Sequence, residues 1–276
     1  MIEFDLKCNQ DVLAINLLLK GRLSEQLNEL CWHDYPSDCE LARYDFMAFL
    51  NSAKPNNPLL NTIKTSKEFG EQLSACEANL ERISANLAEH KARIDKFLAK
   101  TCGVDIALPI QTVYIVALDG CNVGNNTILW GHPKGVHELH YDIVYLYHEA
   151  LHSLFNKVKK ELKLRDTWEF DHVLIQYLTD IELARFLTGT RYDTHAYLEH
   201  LEYKCYPYMQ MFFDKPQVEL KKENATSKVK IAFNKDKFTH LKKIFSDFNI
   251  IEFYKWLLNN RNDILNQEIE KHIVLT

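Results

Sequence analysis

The chain has 276 residues, 46% of them hydrophobic and 12% aromatic, enough to bury a substantial core in one large domain or two small ones. Its net charge of -5 gives no basis for a nucleic-acid partner, and no apolar run reaches membrane-spanning length, so no membrane partner is expected either. Seven cysteines, an odd number without a C-x-x-C pair, argue against a disulfide framework or a cysteine-rich zinc site.

Reduced thiols, together with a Met1–Asp5 start that lacks the order of a secretory signal, set the expectation of a cytoplasmic protein. Signal-less export stays open. Along the chain, residues 2–7 alternate as a short strand, and residues 10–50 read as helices broken near Asp34-Tyr35-Pro36-Ser37. Residues 51–58, rich in Asn and Pro, form a loop. A long polar helix then covers residues 66–100. Its seam of Leu73, Cys76, Leu80, Ile83, Leu87, His90, Ile94 and Phe97 keeps three-four spacing. The seam suits packing within its own domain, with helix-mediated self-association as the alternative.

Residues 109–118 make the best strand, rich in β-branched and aromatic side chains. Asp119-Gly120 and Gly124-Asn125-Asn126 supply turn chemistry, and residues 127–130 form a candidate returning strand. The next segment carries the chemistry. Between Asp142 and Asn156 the apolar residues Ile143, Val144, Tyr147, Ala150, Leu151, Leu154 and Phe155 form one helical stripe. Opposite the stripe lie His148 and His152, with Glu149 beside the first, in the sequence His148-Glu149-Ala150-Leu151-His152. Two imidazoles four residues apart share a helix face and can bind one Zn²⁺. The intervening Glu then stands where a general base is useful for activating water. Asp142 is placed to cap this helix, and Lys157, Lys159 and Lys160 suit its negative end. His132, His137 and His140 read as loop or helix-entry residues without the geometry of a second metal site.

A second amphipathic helix follows over residues 168–187, stopped by Gly189. Its core stripe is Val173, Leu174, Tyr177, Leu178, Ile181 and Ala184; His172 lies opposite, Gln176 one turn on, and Asp171 at the margin near Glu182. A catalytic zinc keeps three protein ligands and an open position, so a third ligand must come from outside the pentapeptide. In order of preference it is His172, Asp171 or Glu182. Beyond this, residues 195–213 are aromatic and partly helical, residues 218–220 and 228–233 read as a hairpin, and residues 238–273 as two helices. The whole reads as α+β, helix-rich, with a small sheet ahead of the His148–His152 helix. Its organisation is an N-terminal helical region (1–104), a catalytic core (105–215) and a C-terminal hairpin with helices (216–276), packed as one unit.

Over residues 142–187 the chain resembles the zincin metallopeptidases, and the spacing resembles their gluzincin branch. There a Glu ligand follows the H-E-x-x-H about twenty residues later on a second helix, with an Asp or similar group one turn onward. His172 stands twenty positions after His152 with Gln176 four further, so spacing matches while both residue types depart. The resemblance implies a zincin-like fold, a Zn²⁺ cofactor, a peptide or protein substrate, and Glu149 as base in water-mediated hydrolysis. It also implies an oxyanion donor, for which Tyr192 and His195 are the candidates. Alternatives are an inactive zincin-like binding protein and a non-proteolytic zinc amidohydrolase.

Overall fold

The computed structural model describes residues 1–54, 56–124, 126–131, 140–164, 168–192, 199–215, 218–222, 225–229, 235–266 and 273–275. Strand β1 (Phe4–Lys7) leads into helices α1 (Gln10–Leu19), α2 (Glu25–Asp34), α3 (Pro36–Tyr44), α4 (Phe46–Ser52) and α5 (Pro58–Lys64). Local chemistry explains why the expected broken helices are four short ones before residue 53. Asn9 accepts from the Asp11 and Val12 amides at 2.9 and 3.1 Å, Asp45 accepts from Ala48 N at 2.8 Å, and Pro36 opens α3 at its first turn. Gly21 takes φ +61°, which ends α1 where an L side chain would be strained.

The long helix α6 (Lys67–Cys102) matches its expected span. Of its seam, Cys76, Ile83, Leu87, His90 and Ile94 are buried within the chain itself. Strands β2 (Gln111–Ile115), β3 (Asp119–Gly124) and β4 (Thr127–Gly131) follow, then α7 (Tyr141–Glu161), the helix of the pentapeptide. The next segment is α8 (Trp168–Gln176), a π-helical stretch (Tyr177–Leu183) and α9 (Ala184–Thr188), ended by Gly189 at φ +78°. Then come α10 (Glu199–Phe212), β5 (Val218–Lys222), β6 (Ala225–Val229), α11 (Lys235–Phe245), α12 (Ile250–Asn259), α13 (Arg261–Asn266) and β7 (Ile273–Leu275). The C-terminal segment thus differs from the expected two helices: it holds three, and residues 273–275 pair with β6 as a strand. Among the described residues no helix is long and apolar enough to cross a membrane.

The chain divides into two compact units, with boundaries inside α6 and α7. The first comprises Ile2–Lys91 and Leu108–Ala150. Its sheet runs β1-β2-β4-β3, with β2 parallel to both β1 and β4 and β3 antiparallel to β4. Two expectations change here. Asp119-Gly120 begins β3 rather than forming a turn, and β4 returns along β3 as a hairpin while running parallel to β2. Alternation then sorts the faces. Tyr114, Val116, Cys121, Val123 and Leu129 pack with Val12, Phe46 and Leu50 of α1 and α4. The opposite face meets α7, where Phe4 lies edge-on to Tyr147 at 5.1 Å and Trp130 stacks on Tyr145 at 5.9 Å.

The second unit comprises Met1, Ala92–Ala107 and Leu151–Thr276. Its core is aromatic: Phe253 stacks on Phe212 at 4.3 Å and meets Phe245 edge-on at 5.1 Å, while Tyr254 packs against Phe155 at 4.5 Å. The segment Val173–Ile181 is buried all round, Gln176, Thr179 and Asp180 included. The expected one-faced helix is in fact a central one.

Candidate metal centre

Helix α7 carries both motif histidines one turn apart, His148 at 1% exposure and His152 at 8%. The face they share is opposite the apolar stripe of Ile143, Val144, Tyr147, Ala150, Leu151 and Phe155, all fully buried. His172 comes from α8 and lies against His152, ring centroids 4.4 Å apart. One ligand atom from each of His148, His152 and His172 falls within 4.8 Å of the others. Among the described residues this is the group of side chains that can hold a metal ion. A tetrahedral zinc with bonds of about 2.0–2.1 Å sets its nitrogens roughly 3.4 Å apart, within a small ring adjustment of this arrangement. Three imidazoles also leave the open fourth position that a catalytic site needs. The donor set fits.

The other two candidates for third ligand do not join the cluster. Asp171, 1% exposed, places Oδ2 2.7 Å from Lys159 Nζ and 3.7 Å from His152 Nδ1. Its Oδ1 is buried without a donor among the described residues. At 3.7 Å the contact with His152 is longer than a hydrogen bond, and Lys159 is the direct partner of that oxygen. Glu182 instead faces two cations, Lys215 Nζ at 3.2 Å and Arg185 at 3.9 Å. The π-helical stretch intervenes between His172 and Glu182 and changes the angular relation that a regular helix would give them.

Glu149 is 8% exposed and tied to the sheet. Its Oε2 accepts from the Asn122 backbone amide at 2.8 Å, and its carbonyl accepts from Asn122 Nδ2 at 2.9 Å. Asn122 is on β3, the outer strand of the sheet, at a point where the pairing register with β4 shifts. Nothing in the sequence marks Asn122 out, because one of its two bonds comes from the backbone and both span 27 residues. The start of α7 is pinned in a related way. Asp142, fully buried, accepts from Trp130 Nε1 at 2.7 Å and Arg82 Nη1 at 2.6 Å. The Asp expected to cap the helix instead lies inside the first turn of α7 and anchors it to β4 and α6.

Tyr192 is 6% exposed, and its amide donates to the Asp180 carbonyl at 2.8 Å. His195, His132 and His137 lie outside the described residues. His140 packs against His90, ring centroids 4.6 Å apart. Searches of protein-family models, curated proteins and solved structures match this chain to none of them.

Proposed function

We propose that the protein is a zinc-dependent metallopeptidase, with His148, His152 and His172 as the ligands and Glu149 as the general base. The observation that carries this reading is the convergence of three imidazoles beside a buried glutamate that the three-histidine cluster itself does not require. A bound Zn²⁺ supplies Lewis acidity, acidifying water and polarising a carbonyl. Glu149 takes a proton from the attacking water and delivers it to the leaving amine. Asn122 holds the Glu149 carboxylate by a backbone bond that survives changes of side chain, so the base keeps its aim. Asp171 lies beside His152, and Lys159 pairs with its carboxylate at 2.7 Å. Strand β3, at the edge of its sheet among the described residues, offers main-chain groups to an extended peptide.

The test is metal analysis joined to one substitution. Purified protein should carry about one zinc per chain, and chelation should lower its thermal midpoint. Glu149→Gln should keep that zinc and that thermal response while losing hydrolysis of a mixed peptide library by about a hundredfold or more. Metal-free protein with a midpoint indifferent to chelator would sink the proposal. Full turnover by Glu149→Gln would remove the base.

A further inference from the structure

On the face of β3 turned away from Glu149 lies a cavity of about 590 Å³, in the size range of small-molecule sites. Its body is apolar and aromatic, built from Trp32 and Phe46 with Leu18, Val123 and Leu129. Its charged groups are of one sign. Lys20 and Arg43 line it, both exposed, and no carboxylate is among its lining residues in a chain whose net charge is -5. Arg43 makes no ion pair among the described residues. Asn16 and Asn28 also line the cavity.

From these features we infer that the cavity is a binding site for a small amphipathic anion, an organic acid with an aromatic body. The rings of Trp32 and Phe46 take the body by stacking, and Arg43 and Lys20 take the acid group. The three-histidine cluster plays no part in this site. Cys121 lines the cavity too, so its thiol reports on occupancy.

The experiment uses 2-naphthoate as probe and its neutral amide, 2-naphthamide, for comparison, both titrated calorimetrically into the full chain. Naphthoate should bind at least about threefold more tightly than the amide, and Arg43→Glu should weaken naphthoate by about three- to tenfold while leaving the amide nearly unchanged. Val123→Trp, which fills the cavity, should abolish binding of both. Because that variant can fail to fold, a second measurement uses the natural sequence: naphthoate should slow alkylation of Cys121, followed by peptide mapping. Chelated protein and Glu149→Gln should bind the probe as well as the untreated protein, so failure of the peptidase reading leaves this one standing. Equal affinity for acid and amide, indifference to Arg43→Glu, or an unprotected Cys121 each overturns the assignment.

Discussion

The ion pair behind His152 gives a prediction whose size follows from geometry. Lys159 Nζ stands 2.7 Å from Asp171 Oδ2, with side-chain exposures of 15% and 2%. At an effective dielectric of about 20 the attraction at that separation is about 6 kcal/mol, before the cost of removing both charges from water. Removing one partner of such a pair strands the other, at about 3–5 kcal/mol. Lys159→Met keeps the aliphatic stem and deletes only the charge, so we expect the lower end, about 3 kcal/mol. For a chain of this size that corresponds to a thermal midpoint about 6–12 °C lower. Asp171→Asn added to Lys159→Met removes the stranded carboxylate, so the double variant should recover to within about 1–2 kcal/mol of the parent. Thermal and urea denaturation of chelated protein measure all three variants without interference from metal. Additive costs, with the double variant equal to the sum of the singles within about 0.5 kcal/mol, would refute the claim that the two charges act as a pair.

Two further expectations concern the frame around the site. Arg82→Leu removes the guanidinium that pairs with the fully buried Asp142, whose other oxygen accepts from Trp130, and should cost about 2–4 kcal/mol in urea denaturation. A loss below about 0.5 kcal/mol would show that α7 is anchored otherwise. Among the free cysteines, burial pushes the Cys39 thiol up to about 11 and those of Cys76 and Cys102 up to about 12. Since the thiolate is the nucleophile, these three should stay unlabelled by iodoacetamide at pH 8 while the half-buried Cys121 reacts, and labelling should spread only as the pH rises toward those values. Peptide mapping across pH checks the order.

How much of this was legible beforehand depends on the range of the interaction. Residues 142–156 announce α7 because an apolar stripe at helical period is a local signal, and the pairing of His148 with His152 follows from it. His172 was reachable by the same reckoning, since α8 stays a regular helix through that residue. Beyond Gln176 the angular argument fails. The π-helical stretch has no sequence signature, and Glu182 accordingly lies with Lys215 and Arg185. The burial of Gln176, Thr179 and Asp180 was hidden for a different reason. Polar residues at those positions read as a solvated face, whereas the Thr179 hydroxyl is bonded within the core, donating to Ile175 O at 2.8 Å. The Asn122 clamp and the parallel course of β4 beside β2 are long-range facts of the same sort, set by tertiary pairing and invisible to periodicity.

Strand β3 has a mechanical consequence of its own. It is bonded along one edge to β4, its far edge has no neighbouring strand among the described residues, and on the side away from Glu149 it borders a cavity. Close packing is what makes protein interiors stiff, so a strand that borders a cavity has more room to shift than one packed along its whole face. Glu149, bonded to the Asn122 amide, is tied to that strand. A displacement of Cys121 and Val123 into the void carries Asn122 with it, because a pleat cannot move two of three consecutive residues and leave the middle one behind. The aim of Glu149 is thus set jointly by its own helix and by how full the space behind a single strand happens to be.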